Sequence, residues 1–507
     1  MSSGRIGTAF ETITRIAVHS TAMVRSLAAL AICLLPIAAS WAQTPTGNLT
    51  ALVDSGIYAY NGLEVAAAQS NDAAYGALLT VCGGNAAGGP TCSGNQLSLF
   101  NRLRELEDTA NGLLGRGETA FSLRLGAQAL GFALRWTAPE EYAAQGSLTT
   151  KFANSQLTTM ANRFSALRFA TQIRFARGDS PDSDPDGPRL SYYSSGALQG
   201  GAAGADSSSA FPSSNWGAFA NGSYSAGAKA PTTFEDAFNY NDTEYSAGAD
   251  VRLNAHTVVG LLAEHTIKHV NFNSAESVVN GGIRGQGYGI LTYVQWEGDA
   301  AYVNGSLGIQ HLSLDTRRSI TYPSLNPLIP SVNETSTSST TATSWIGAVG
   351  TGYSFHWGGF SAEPYVNGQY VHTEIADFTE HDGSGFDFDV GSQGIPSLTA
   401  AVGLKFQQAF LPPFGVIVPY IYGEYRHEFM QNSRTVDSQY AGSGLAVGAS
   451  TGFDLPTDAP TRNYYAAGGG LTLVFKHGLQ GFVQYVKIFN QANYTDYVAS
   501  GGIRYEF

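Results

Sequence analysis

The chain has 507 residues, of which 13% are charged, 12% are aromatic and 60 are glycine, whereas a soluble globular protein carries about 25% charged residues. This composition argues against an ordinary soluble α/β enzyme, and the net charge of -13 excludes the basic surface that binds nucleic acid. The mean hydropathy of -0.08 is too low for a bundle of membrane-spanning helices, but it is typical of a membrane β-barrel, whose strands alternate apolar and polar residues.

The N-terminus has the order of a secretory signal peptide over residues 1–42. Arg25 precedes an apolar run, and small residues ending at Ala42 form a cleavage site. The stretch before Met23 is long for the basic part of such a signal, so either Met1 or Met23 can be the start. The mature chain is therefore predicted to be exported.

Residues 43–136 are predicted to form a short, mainly α-helical region. Leucine recurs at helical spacing, for example within residues 99–106. Cys82 and Cys92 remain once the signal is removed, and in an oxidising compartment two cysteines most simply form one disulfide. Zinc needs more ligands than this segment offers, so no metal site is predicted.

A second helical segment and a linker follow. Thr137 and Glu140 fit a capping box with proline in the first turn, which predicts an amphipathic helix over residues 137–177. Residues 178–215 are rich in Asp, Gly and Ser, and this composition is typical of a solvated linker.

Two short motifs near the start of this linker could have a specific function. Arg177, Gly178 and Asp179 match the tripeptide that integrins recognise, which would make the protein an adhesin for a host cell-surface receptor. Residues 182–187 match the first half of a calcium-binding EF-hand loop, but Tyr193 stands where the loop needs a bidentate glutamate. The linker interpretation is the simplest of the three.

Over residues 216–507 the spacing of the hydrophobic residues changes. They no longer recur every three or four residues, as in a helix, but at every second residue, as in a strand. Alternating segments of about ten residues, separated by turn residues, are the signature of a membrane barrel. At roughly 24 residues per strand and connection, this stretch is long enough for about 12 antiparallel strands. We therefore predict an all-β membrane barrel preceded by a mainly α-helical N-terminal region.

Several short stretches of the predicted barrel share their order and spacing with one family. They are residues 216–219, 246–250, 418–420, 424–429 and 504–507. In this order they resemble the autotransporter β-domain of type V secretion. The candidate barrel motif consists of Pro419, Tyr420, Arg426, His427, Glu428 and Phe429.

The resemblance implies a barrel in the outer membrane of a Gram-negative bacterium, surrounded by outer-membrane lipid. It implies insertion by the barrel assembly machinery with the help of periplasmic chaperones, and a passenger at the cell surface. The C-terminal strand would be the assembly signal, with Ile503, Tyr505 and Phe507 on its lipid-facing side. Whether residues 137–175 or the linker fill the pore, and whether the passenger is cleaved, stay open.

No enzyme is predicted. Gly178, Asp179 and Ser180 have the residues of an esterase motif, but no domain of esterase size surrounds them. No cofactor is expected either. The predicted function is translocation or display of the chain's own passenger. The alternatives are a surface adhesin acting through the Arg177–Asp179 turn and a plugged outer-membrane pore.

Overall fold

The alternating part of the sequence forms antiparallel strands that are long enough to cross a bilayer. A computed structural model describes residues 46–83, 91–146, 164, 215–254, 256–272, 277–430, 432–441, 443, 452–475 and 479–507. The predicted signal peptide, residues 178–214 of the predicted linker and the Arg177–Asp179 tripeptide lie outside these residues. The strands and the helices before them belong to one unit, Gly47–Phe507.

Seventeen strands occur in the described part of the chain. They are β1 (Trp216–Lys229), β2 (Phe238–Asn254), β3 (Thr257–Asn271), β4 (Gly281–Glu297), β5 (Ala301–Tyr322), β6 (Val332–Tyr353), β7 (Phe355–Trp357), β8 (Phe360–Ile375), β9 (Phe378–Thr379), β10 (Phe388–Val390), β11 (Gln393–Gln408), β12 (Gly415–Glu428), β13 (Thr435–Tyr440), β14 (Gly452–Pro456), β15 (Asn463–Phe475), β16 (Leu479–Phe489) and β17 (Tyr494–Glu506).

Twelve long strands form a closed barrel. Each pairs antiparallel with its neighbours in chain order, and β1 pairs with β17 from Gly217 opposite Glu506 to Lys229 opposite Tyr494. The short β7 extends the turn between β6 and β8, while β9, β10, β13 and β14 form a separate four-stranded sheet. The predicted fold class, about 12 antiparallel strands preceded by helices, is confirmed.

The two ends of the barrel differ in the length of their connections. At one end, called the short-turn end, the connections are residues 255–256, 298–300, 354–359, 409–414 and 476–478. At the other, the long-loop end, they are residues 230–237, 272–280, 323–331, 376–392, 429–462 and 490–493. β1 begins at Trp216 and β17 ends at Glu506, and both residues lie at the short-turn end.

The outer wall carries an apolar band with aromatic rims. On β4 the outward residues run from Trp296 to Tyr288, and Tyr288 is 70% exposed. These eight steps span about 27 Å of strand. A tilt of about 40° reduces this to a height of about 21 Å, compared with the roughly 25 Å apolar band of a membrane barrel. Exposed aromatics mark the long-loop rim at Tyr224, Tyr245, Tyr288, Trp345, Tyr370, Tyr425, Tyr465, Tyr485 and Tyr497.

The inner wall is polar and carries paired charges. Arg504 on β17 lies 2.6 Å from Asp250 and 2.7 Å from Glu506, and all three side chains are buried. Gly217 on the neighbouring β1 leaves room for the Arg504 guanidinium, which would have to shift if a Cβ were present there. The ion pair between Arg504 and Asp250 therefore joins β17 to β2 across β1, so the seam where the barrel closes is bridged on the inside as well as by backbone hydrogen bonds.

Four helices precede the barrel within the described residues: α1 (Asn48–Asp54), α2 (Gly62–Cys82), α3 (Gly94–Leu113) and α4 (Ala127–Thr137). Asn61 and Glu64 form a capping box at the start of α2. The predicted Cys82–Cys92 disulfide is present and ties the end of α2 to the start of α3. None of these described helices is both long and apolar enough to cross a membrane.

The predicted capping box at Thr137 is wrong. Thr137 is the last residue of α4, where its hydroxyl donates to the Leu134 carbonyl and accepts a hydrogen bond from the Asn71 amide. Ala138 is extended because it precedes a proline, and helical structure resumes only at residues 141–146. The helix predicted over residues 137–177 therefore does not start at Thr137, because residues 138–140 are not helical.

Replacing Arg504 by methionine leaves Asp250 buried without its cation. Removing one partner of a buried ion pair typically costs about 3–5 kcal/mol, so the barrel should lose its heat-resistant gel mobility at a lower temperature. Lys487→Met is the matched control, because this side chain lies on the outer wall. Equal transition temperatures for the two variants and the wild-type chain would contradict the role given to Arg504.

Candidate functional site: the mouth of the barrel

The helices pack against the long-loop end of the barrel. The described residues between Gly47 and Gly146 are called the cap. The loops and strand ends of the barrel on which the cap packs are called the mouth. One hydrophobic core contains residues of both parts: Leu49, Leu52, Leu63, Tyr75, Leu78, Leu99, Phe100, Leu103, Leu106, Leu130 and Leu134 of the cap, and Ile320, Tyr322, Val332, Phe378, Phe386, Phe388, Val436, Tyr440, Phe453 and Leu455 of the mouth. The cap and the mouth thus bury their apolar surfaces against each other.

Arg318 is the centre of a buried polar group at this interface. It lies on β5, is 1% exposed and donates two hydrogen bonds to Glu380, of 2.9 and 2.7 Å. It also donates to the Phe386 carbonyl at 2.7 Å and to the Trp136 carbonyl of the cap at 3.4 Å. The hydroxyl of Tyr142, also in the cap, donates to Glu380. One bidentate ion pair therefore contacts both parts.

A second ion group joins α4 to the loop after β1. Arg135 lies 3.0 Å from Glu140 within the cap and 3.1 Å from Asp236 in the loop. The other oxygen of Asp236 accepts hydrogen bonds from the backbone N–H groups of Val278 and Val279. Burial raises the pKa of Glu140 to about 8, in spite of the opposing effect of Arg135.

Neutral hydrogen bonds join the cap to further loops. The Leu63 N–H donates to the Thr233 carbonyl at 3.0 Å, and the Tyr440 hydroxyl donates to Asn71 at 2.6 Å. The Asn326 amide donates to Ser122 at 2.8 Å. Gly385 has φ of 103°, and a Cβ there would meet the backbone of α3 at 2.7 Å, so this loop requires glycine.

The end of the cap and the chain after it reach into the lumen. Ala144 packs with inward residues at the long-loop end, among them Phe238 and Ile375. Phe164 packs near the short-turn end with Phe219 and Tyr293, and its ring centroid lies 5.7 Å from that of Tyr293. Both residues are buried. The lumen is thus occupied near both ends by residues of the segment that precedes the barrel.

Inside the cap, two carboxylates meet the N-terminus of α1. The backbone N–H of Asn48 donates to Glu107 at 3.0 Å, and those of Leu49 and Thr50 donate to Asp72 at 3.2 and 2.8 Å. Acceptors at this position satisfy the unpaired N–H groups of a helix start. Burial and the neighbouring Asp72 carboxylate raise the pKa of Glu107 to about 10.

The predicted assembly signal lies on the outer wall of the closing strand. Ile503, Tyr505 and Phe507 are exposed there at the short-turn end. Arg504 and Glu506, which alternate with them, are buried inside. These positions follow from the period of two along β17. The apolar residues of the predicted signal therefore share one surface, which faces away from the lumen.

The predicted barrel motif is divided between the two faces of β12 and the residue after it. Arg426 pairs with Glu424 in the lumen, and Glu428 accepts hydrogen bonds from Ser397 and Thr399. The Tyr420 hydroxyl donates to Gln484 at 2.8 Å, also inside. The other three members, Pro419, His427 and Phe429, are not buried. The motif is therefore part of the wall and not a single site.

Sequence reasoning missed the residues that hold the cap. Arg318, Glu380 and Tyr142 are separated by as many as 238 residues along the chain. A signal was present, since Arg318 stands at an inward position by the period of two along β5. It could have been identified as a buried arginine needing a partner, but the sequence does not say which carboxylate supplies it.

Comparison with known proteins identifies a related family. The model of the autotransporter beta-domain family matches residues 191–486, more than half of the chain. No curated protein matches.

Three solved structures are similar to the barrel. The translocator domain of autotransporter NalP from Neisseria meningitidis is 15% identical, with a TM-score of 0.45, covering 59% of this chain and 90% of that one. The beta domain of the Bordetella autotransporter BrkA is 13% identical, with a TM-score of 0.40 and coverages of 58% and 100%. The transport unit of autotransporter AIDA-I from Escherichia coli is 11% identical, with a TM-score of 0.37 and coverages of 60% and 93%.

The raised pKa of Glu107 predicts how the stability of the cap depends on pH. The folded cap keeps this proton up to about pH 10, whereas an unfolded glutamate loses it near pH 4.3. The folded state therefore binds more protons across this window, and its stability must fall as pH rises. The slope is at most about 1.4 kcal/mol per pH unit for one such proton.

Glu107→Gln should flatten this slope, because the amide keeps an acceptor for the Asn48 N–H and never ionises. Between pH 8 and 10 Glu140 contributes little, since its pKa is about 8, so the difference reports on Glu107. The measurement is loss of helical circular dichroism on heating, at several pH values. Exposed Glu118→Gln is the control, and parallel pH profiles for all three proteins would disprove the assignment.

Proposed function

This chain belongs to the autotransporter β-domain family, and from that premise we propose that the cap is a passenger which stays docked on the outer mouth of its own translocator. The barrel is a translocator domain of the outer membrane of Gram-negative bacteria. The observation that carries the proposal is the shared buried interface, in which Arg318 and Glu380 of the mouth bind Trp136 and Tyr142 of the cap.

The direction of the chain supports export of the cap. Outer-membrane barrels have short turns in the periplasm and longer loops outside, so the long-loop end with its cap faces the exterior. β1 begins at the opposite, periplasmic end with Trp216. The connecting chain contacts the upper lumen at Ala144 and the lower lumen at Phe164. A passenger that had passed through the pore would leave its following segment in this position, so we propose that the chain enters the lumen at Ala144 and reaches its lower part at Phe164.

The composition of the interface supports retention of the cap. Leucines of α2 and α3 share their core with aromatic residues of the mouth, and a released cap would expose them to water. Separation would also leave the buried charges of Arg135 and Arg318 with fewer partners, which is unfavourable at buried sites. Permanent interfaces resemble a domain core divided between two parts in this way.

Three of the buried acids of the cap have structural contacts. Asp72 and Glu107 bind a helix N-terminus, and Glu140 binds Arg135. These contacts support a display role and give no reason to propose catalysis. The host-receptor alternative depends on Arg177, Gly178 and Asp179, and no described contact favours it.

Two single-cysteine reporters test the exposure of the cap. Ile57 is exposed on the cap, and Asp299 lies in a short turn at the other end of the barrel. A membrane-impermeant maleimide should label Ile57→Cys on intact cells, whereas Asp299→Cys should react only after the outer membrane is opened. Labelling with the opposite preference would place the cap in the periplasm and overturn the proposal.

Docking is tested by added protease on the same cells. The wild-type cap should resist digestion and remain with the cells, because its core is buried against the mouth. Arg135→Met combined with Arg318→Met removes both ion groups, so the cap should be digested several times faster while the barrel keeps its folded gel mobility. Release of an intact wild-type cap into the medium would show a cleaved passenger instead of a docked one.

We also propose that Ile503, Tyr505 and Phe507 act as the assembly signal read by the barrel assembly machinery, with periplasmic chaperones delivering the chain. Their support is the shared outward face of β17. Deleting Phe507 should leave most of the protein unfolded in the periplasm, whereas Phe507→Tyr should assemble. Cell fractionation measures this, and a normal outer-membrane amount after the deletion would refute the signal.

A further inference from the structure

The outer wall carries a cationic groove just beyond the apolar band at the long-loop end. The groove has a volume of about 800 Å³ and crosses the ends of β3, β4, β5 and β6. Its charged and imidazole side chains are His269, Arg284, Asp315, Arg317 and His381. All five are exposed, so they face the surroundings of the barrel and not its lumen.

The register brings the two arginines together. Arg284 on β4 lies opposite Asp315 on β5, and Arg317 is two residues further along β5 on the same face. Such diagonal neighbours lie about 7–8 Å apart, a separation at which two guanidinium groups can bind one phosphate. His269 lies on β3, the other neighbour of β4, directly opposite Arg284. Its imidazole can donate a further hydrogen bond.

The arginines are not engaged elsewhere in the described part of the chain. Neither Arg284 nor Arg317 forms a hydrogen bond or ion pair with a described residue, whereas the Asp315 carboxylate accepts a hydrogen bond from Ser339 at 2.6 Å. The inner wall behaves differently, because Arg318, the next residue, is fully paired. The two outward guanidinium groups therefore remain available for an external anion.

The height of the groove along the membrane normal indicates which anions it can meet. Tyr288 marks the rim of the apolar band on β4, and Arg284 follows four residues beyond it, or about 10 Å along the membrane normal at the usual spacing and tilt. The interfacial layer on each side of a bilayer is about 5–7 Å thick. The backbone at Arg284 therefore lies a few ångströms above this layer, and a long arginine side chain can place its charged head in the layer, so the guanidinium groups are within reach of the lipid headgroups of the outer leaflet.

We propose that Arg284 and Arg317, assisted by His269, bind the phosphate of a phosphorylated glycolipid of the outer leaflet. Arginine is suited to this role because its planar fork of donors matches phosphate oxygens. The bound lipid would contact β3 to β6, the sector in which β5 and β6 extend upward to the Arg318 group and the cap. This inference depends on the membrane position of the barrel and not on the docking of the cap.

The test uses the full folded chain in detergent and measures lipid binding by native mass spectrometry. The probes are a diphosphorylated glucosamine lipid, the same lipid without phosphates, and inorganic phosphate. The wild-type chain should bind the phosphorylated lipid at least about tenfold more tightly than its dephosphorylated form, since charge-assisted hydrogen bonds from arginine to phosphate are roughly twice as strong as neutral ones. Inorganic phosphate should not compete at the same concentration.

Arg284→Gln combined with Arg317→Gln should abolish this preference, while replacing both residues by lysine should keep part of it. Lys487→Gln is the matched control, because it removes an outward cation from a different sector of the wall. If the double glutamine variant loses its folded gel mobility, each single variant is measured and should lose part of the preference. A preference unchanged in the glutamine variants, equal binding of both lipids, or competition by phosphate would each overturn the proposal.

Discussion

The constraint on which this molecule depends is that no backbone N–H or C=O group can be left unpaired in hydrocarbon. A sheet satisfies that constraint only if it has no edges, so β1 must pair with β17 although they are the most distant strands in sequence. Once the barrel is closed, its wall has an outer face that must be apolar and an inner face that can be polar. The low charge content, the period of two and the aromatic rims all follow from this division.

Closure creates a second requirement, because the polar inner wall encloses space that opens at both ends. The structure fills it with the preceding chain, at Ala144 near one end and at Phe164 near the other. Above the lumen, β5 and β6 extend beyond the membrane band and contribute Ile320, Tyr322 and Val332 to the core of the cap. Under the proposed function, the barrel is both the route by which the cap crosses the outer membrane and the surface on which it docks.

The polar contacts at the mouth explain how a shared apolar core acquires a single arrangement. Apolar packing alone is weakly directional, whereas a bidentate arginine–carboxylate pair has a defined geometry. Arg318 and Glu380 supply that geometry, and Tyr142 and the Trp136 carbonyl are placed by it. Because these groups are buried, removing one partner is costly, which connects the orientation of the cap to its proposed retention.

The sequence by itself determined the features that depend on local periodicity. Alternation along β4 and β17 identified the lipid-facing side chains, because neighbouring residues of a strand necessarily point in opposite directions. The Cys82–Cys92 pair could be predicted for a similar reason, since only two cysteines follow the predicted signal peptide. The Thr137 prediction failed because its hydroxyl binds Asn71, a residue of another helix, and a local capping pattern does not report such contacts.

Only the tertiary structure decided the features that join distant parts of the chain. The pairing of Arg318 with Glu380 across β5 and the loop after β9, the contact of Tyr142 with that pair, and the position of Phe164 beside Tyr293 are not encoded in any short pattern. Their positions follow from barrel closure, which brings strand ends that are hundreds of residues apart to one rim. The sequence thus determined which face of each strand meets lipid, whereas the closed barrel decided which residues meet at its mouth.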